Sequence, residues 1–132
     1  MAIEVKTMDH VTIVSQDLER TKQFYVDLLG MRLVERPGFA FPGLWFQAGQ
    51  TQIHVNVEGE EAGPTAKSWD RGSVVSRGHH IAFLVDDAQA ACDELKSQGV
   101  EIAAGPKRRP DGPLQFYIFD PDGNLVELFS LV

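Results

Sequence analysis

Apolar residues in this chain fall into short runs, interrupted by two longer stretches in which they recur every third or fourth position, and this order occurs twice. Positions 9–15 are short and rich in β-branched residues, which predicts a strand. Asp17 then offers an N-cap. Leu18, Thr21, Phe24, Tyr25 and Leu28 form one apolar stripe, so 17–29 reads as a helix ended by Gly30. Strands are expected at 31–36, 44–48 and 51–57, with a tight turn at Ala48-Gly49-Gln50 between the last two.

From position 80 the order returns. A strand is expected at 80–85, with Asp86 or Asp87 as the next cap. Ala88, Ala91, Cys92 and Leu95 make the second helical stripe, which Gly99 ends. Strands follow at 100–104, 114–119 and 124–131, the last two joined by the turn Asp120-Pro121-Asp122-Gly123. The unit is β-α-β-β-β, present twice, at about 6–57 and 79–132, and the fold class is α+β. The intervening 58–78 segment is too long for a simple connection and reads either as a linker or as a lid. Trp69 within it favours an ordered segment.

The chain has 132 residues, which predicts a single domain over 1–132. A net charge of −7 argues against a nucleic-acid partner and against an anionic membrane surface. No apolar run approaches the roughly 20 residues that span a bilayer. Residues 1–6 show no basic stretch followed by an apolar run, which predicts no secretory signal and a cytoplasmic location. Cys92 is the one cysteine, so no intrachain disulfide can form, and its place on a helical stripe makes it a packing residue.

Strand alternation then selects the candidate chemistry. His10, Thr12 and Val14 share one face of the first strand, and His80, Ala82 and Leu84 share one face of its counterpart. Val11 and Ile13, like Ile81 and Phe83, face the helix that follows. His54 interrupts the run Ile53-His54-Val55, and Glu127 interrupts Val126-Glu127-Leu128. A polar group on an apolar strand needs a partner, because burying it without one costs several kcal/mol. Four metal-capable side chains at matching places in two copies of one unit predict one shared metal centre built from His10, His54, His80 and Glu127. Imidazoles and a carboxylate suit a divalent Fe, Ni, Co, Mn or Zn ion. Without His54, the set has the composition of the two-histidine, one-carboxylate triad of non-haem iron. His79 points away from His80 in a regular strand and reads as a surface residue or as one behind the ligands.

Thr12, Trp45, Arg109, Gln115 and Tyr117 are the candidate substrate-binding residues. Gln115 and Tyr117 share a strand face. Arg108 and Arg109 precede the turn Pro110-Asp111-Gly112-Pro113, where they could clamp an anion. Trp45 and Phe46, with Phe39 and Phe41, could line an apolar pocket or belong to the core.

The ordered set Asp9-His10-Val11-Thr12, Asp17-Leu18-Glu19-Arg20, Phe24-Tyr25, Leu28-Leu29-Gly30-Met31, His80-Ile81-Ala82-Phe83 and Phe119 through Leu128 resembles the vicinal oxygen chelate superfamily. This is also called the glyoxalase, bleomycin-resistance and dioxygenase family. The resemblance implies paired βαβββ modules forming a cupped, partly open barrel around one divalent metal ion. It implies His10, His54, His80 and Glu127 as ligands, with Glu127 also catalytic as a general base. At 54 this chain has histidine where glyoxalase I-like members commonly carry glutamate and epimerase-like members glutamine. The implied function is a metal-dependent lyase, isomerase or thiol transferase acting on a small oxygenated molecule. The alternatives are a metal-free module that sequesters its ligand and a ring-cleaving dioxygenase. The resemblance also implies a homodimer, with the site built within one chain or across two.

Overall fold

A computed structural model of the chain describes residues 2–132. The chain divides into two compact units, one ending at Pro64 and one beginning at Thr65. Each unit contains one β-α-β-β-β module, as the hydrophobic pattern predicts.

In the first module β1 (His10–Ser15) leads into α1 (Leu18–Lys22), and then β2 (Arg32–Val34), β3 (Gly43–Ala48) and β4 (Thr51–Val57) follow. The sheet order is β1-β4-β3-β2, with β1 parallel to β4 and the other pairs antiparallel. In the second module β5 (Ile81–Leu84), α2 (Ala88–Ser97), β6 (Ala104–Arg108), β7 (Leu114–Phe119) and β8 (Leu125–Ser130) repeat the arrangement. Their order is β5-β8-β7-β6, with the same parallel first pair.

Each sheet buries one face against its own helix. Ile13, Ile53, Val55 and Phe46 are buried in the first unit together with Phe24 and Tyr25 of the helix. Phe116, Ile118, Val126 and Leu128 are buried in the second with Ala88, Cys92 and Leu95. Cys92 has no exposed surface, and burial pushes its thiol pKa up, so it packs as a small apolar side chain. The helices start where the caps predict. Asp17 accepts from the Glu19 and Arg20 amides at 3.0 and 3.3 Å, and Asp87 accepts from Ala90 at 3.0 Å.

Three differences from the sequence pattern have physical causes. The first helix is not α-helical throughout: it widens into a π-helical turn over Gln23–Leu28, where the Leu29 amide reaches back to the Phe24 carbonyl at 3.0 Å. One residue step more separates Asp17 from Gly30 than separates Asp87 from Gly99, and the wide turn holds that extra residue. β2 is shorter than expected because the Met31 amide is tied to the Tyr25 carbonyl at 2.9 Å, while Pro37 follows closely downstream. The strand expected at 100–104 begins only at Ala104. The Val100 amide is held by the Leu95 carbonyl at 3.0 Å in the helix ending, so the apolar Val100 and Ile102 belong to the connection. β6 is then an edge strand with a register shift between Ala104 and Lys107, a place that tolerates Pro106.

Residues 65–78 fold onto the second unit. Thr65 and Ala66 are buried, and short 3₁₀ turns occupy Ala66–Ser68 and Val75–Arg77. Arg71 donates to the Gly123 carbonyl and lies over the Phe119 ring at 5.0 Å. Gly123 sits at φ +85, and a Cβ there would lie 2.9 Å from the Lys67 amide nitrogen, so this contact requires glycine. Trp69 is half-exposed and meets the His79 ring edge-on at 5.4 Å. No helix among the described residues is long and apolar enough to cross a membrane.

Candidate metal and substrate site

The face of each sheet turned away from its helix carries the chemistry. In the first module Thr12 pairs with His54 across β1 and β4, and Trp45 pairs with His54 across β3 and β4, so the three share that face. The His54 ring lies between two others. His10 stacks on it with a centroid separation of 3.8 Å, and Trp45 stacks on it at 4.0 Å with the planes 3° apart. Trp45 therefore belongs to the site face, while Phe46 is the core residue.

Two side chains missing from the sequence-predicted set orient these imidazoles. Asp9 Oδ2 lies 2.8 Å from His10 Nδ1, and Gln52 Oε1 lies 2.8 Å from His54 Nε2. A carboxylate accepts only, so His10 Nδ1 carries the proton and Nε2 keeps its lone pair. Asp9, His10 and His54 offer ligand atoms within 4.8 Å of one another and form a possible metal-holding cluster. The Asp9 contact is the kind that fixes a ligating histidine from behind. Its sequence signal was adjacency to His10. The signal for Gln52 was its same-face spacing from His54. Burial lowers the His54 pKa, and the neighbouring His10 lowers it further. Asp9 opposes the shift, and the Arg36 charge adds to it.

In the second module His80 stands just before β5, and Glu127 lies on β8 opposite Ala82. Glu127 is 4% exposed, the deepest carboxylate of the candidate set. His80 Nδ1 lies 2.8 Å from the Gly78 carbonyl, and its Nε2 lies 3.2 Å from Glu127 Oε1. The carbonyl can only accept, so Nδ1 donates there. Nε2 and the carboxylate oxygen then face each other with lone pairs, and something positive must lie between them or beside both. That is either a proton or a metal ion, so the donor set fits a divalent cation on chemical grounds.

Tyr117 meets His80 edge-on at 5.4 Å and hydrogen-bonds Glu127. Burial, followed by that hydrogen bond and the Glu127 charge, pushes its phenol up to about 12. Gln115 is on the same strand face, half-buried. Arg109 is held by Asp111 through bonds of 2.9 and 2.6 Å, with its guanidinium 5.9 Å from the Phe129 ring centroid. It lies in the electrostatic field of Glu127 and Tyr117. Arg108 is exposed and spends a donor on the Gly112 carbonyl at 3.0 Å. His79 is on the surface, but it lies outside β5, so its exposure does not come from strand alternation.

Comparison with known proteins follows the same lines. The Glyoxalase/Bleomycin resistance protein/Dioxygenase superfamily pattern matches residues 7–128. The glyoxalase domain-containing protein RDO1 of Mycosarcoma maydis is 32% identical over 132 residues, spanning 97% of this chain and 70% of that protein. A lactoylglutathione lyase of Neisseria meningitidis is 29% identical over 130 residues, spanning 92% of this chain and 88% of the relative. The crystal structure of a putative glyoxalase family protein from Bacillus anthracis superposes with a TM-score of 0.76 at 28% identity, covering 98% of both chains. With two βαβββ modules of this fold and a match over nearly its whole length, the chain belongs to the Glyoxalase/Bleomycin resistance protein/Dioxygenase superfamily.

Proposed function

We propose that this protein is a divalent-metal-dependent enzyme of the lyase or isomerase type, acting on a small substrate that chelates the metal through adjacent oxygens. Its candidate ligands are His10 and His54 in the first module and His80 and Glu127 in the second. The observation that carries it is the facing pair of His80 Nε2 and Glu127 Oε1, with His80 Nδ1 already committed to the Gly78 carbonyl. Support comes from the equivalent strand positions of His54 and Glu127, and from relatives named lactoylglutathione lyase. A divalent ion of this kind acts as a Lewis acid on charge developing at substrate oxygens.

The chain's own residues do the rest. Asp9 and the Gly78 carbonyl fix the ring orientations of His10 and His80. Tyr117 stays protonated at neutral pH and is a hydrogen-bond donor beside Glu127. Glu127, the buried carboxylate beside His80, is the general base in this reading. Trp45 gives a flat apolar wall beside His54, and Thr12 a hydroxyl on the same face.

Elemental analysis of protein purified without added metal tests this reading. Near-stoichiometric Fe, Ni, Co, Mn or Zn is expected, with loss in His10→Ala and Glu127→Ala. No metal, and none taken up on reconstitution, would leave a proton between His80 and Glu127 and favour a ligand-sequestering protein.

A further inference from the structure

Arg36 follows β2 and lies against the site face of the first sheet. Its guanidinium carbon is 4.7 Å from the Phe39 ring centroid and 4.9 Å from that of Phe41. Gly43 makes room for it: a Cβ there would meet the Val55 carbonyl at 2.5 Å, and Arg36 Cζ and Nε at 3.0 Å. Gly43 pairs with Asn56 two positions along from the Trp45–His54 pair, so it shares their face. The Arg36 charge is felt at His54, where it acts with burial and His10 to lower the imidazole pKa.

The guanidinium carbon thus lies over two neighbouring rings, whose centroids are 5.2 Å apart. Nη2 of Arg36 is buried without a hydrogen-bond partner among the described residues. A half-buried cation without an acceptor is unfavourable, and a chain of net charge −7 has carboxylates to spare for it. Phe39 and Phe41 are 47% and 46% exposed, so the rings beside the guanidinium are open to a ligand.

We propose that Arg36 is the anchor for a carboxylate on a flat, conjugated substrate whose chelating oxygens lie on the His10–His54 side and whose ring packs among Trp45, Phe39 and Phe41. This inference rests on the proposed metal-dependent reading for the chelating end but not for the anion. A forked guanidinium held over aromatic rings is suited to bidentate carboxylate recognition. Arg36 is then a specificity-determining residue of the first module.

The test uses two pairs of probes on the full chain. In metal-free protein, benzoate and benzamide are compared by ligand-observed NMR titration. In Zn-loaded protein, 3,4-dihydroxybenzoate and 3,4-dihydroxybenzamide are compared by calorimetry. Wild type is expected to prefer the carboxylate about tenfold or more in both pairs, from charge-assisted hydrogen bonds. Arg36→Gln should lose that preference while binding the amides unchanged, and Arg36→Lys should restore part of it. No carboxylate preference in wild type, in either pair, overturns the proposal. So does an Arg36→Gln variant that keeps the preference. If benzoate preference depends on Arg36 but Zn adds nothing to the catechol probes, the anion anchor stands and the metal reading fails. If Zn-dependent binding is seen without carboxylate preference, the reverse holds.

Discussion

The two modules place a pair of metal-capable side chains on equivalent strands and hold them by different means. In the first, His10 and His54 stack on each other, and the side chains of Asp9 and Gln52 orient them. In the second, His80 faces Glu127, and the backbone carbonyl of Gly78 orients the imidazole. The first pair is open, with the His10 side chain 40% exposed, whereas the Glu127 side chain is 6% exposed. One topology has thus produced an adjustable pair and a fixed one. What differs is whether an orienting group is a side chain or the chain itself, and whether a buried charge is present.

The largest effect should come from the fixed pair. Glu127→Ala is expected to abolish metal retention. In metal-free protein it should also lower unfolding free energy by about 2–3 kcal/mol, because the buried Tyr117 hydroxyl loses its acceptor and His80 its partner. His54→Ala should cost metal-free stability less than about 1 kcal/mol, since its imidazole is desolvated and crowded by His10. Urea unfolding compares the two. Equal losses would erase the distinction between the modules.

Asp9→Ala comes next. It should weaken metal binding about 10- to 100-fold without altering the melting temperature of the metal-free protein, because the Asp9 side chain is 85% exposed and only its bond to His10 is lost. A competition assay with a chelator reads this. No single side chain in the second module offers the same handle on His80.

Tyr117 sharpens the comparison by titration. Its phenol, pushed up to about 12 from the usual 10.0, should ionise late in an ultraviolet pH titration. Glu127→Gln should bring it back toward its usual value. The raised pKa means that the neutral phenol is favoured in the folded state. Its stabilising contribution is complete below pH 10.0 and is lost as pH rises through about 12. The smallest effect concerns His54, whose imidazole signals in metal-free protein should titrate below the ordinary 6.5. Its folded-state pKa is depressed, so its contribution is present above 6.5 and declines as pH falls through the lowered value. His10→Gln should move the titration part of the way back, because burial is the larger cause.

Much of this was legible in the sequence because it depends on local periodicity. The cap Asp17, the ends at Gly30 and Gly99, and the alternation that turns His10 and His54 away from the core follow from spacing alone, while spacing left Asp86 and Asp87 as equal candidates for the second cap. Sequence gave less guidance where distant groups compete for one backbone position. Val100 and Ile102 look like strand residues, and only the bond from Val100 to Leu95 makes them part of a helix ending. Trp45 and Phe46 are neighbours of similar character, and pairing of β3 with β4 sends one to the site and the other to the core. Arg36 gave no signal, because what marks it is the absence of an acceptor, which is a property of three-dimensional surroundings.

The π turn at Gln23–Leu28 bears on how two copies of one unit can differ in length and still match. In an α-helix an inserted residue advances everything after it by about 100° around the axis, so a single insertion would swing the next strand off its sheet. A wide turn takes up the extra residue on the spot and returns the chain to its former phase. The insertion stays confined to the turn, whose Phe24 and Tyr25 both reach the core, and the strands beyond keep their pairing. Unequal copies can then drift in length at the helix while the strand positions that carry the chemistry stay in step.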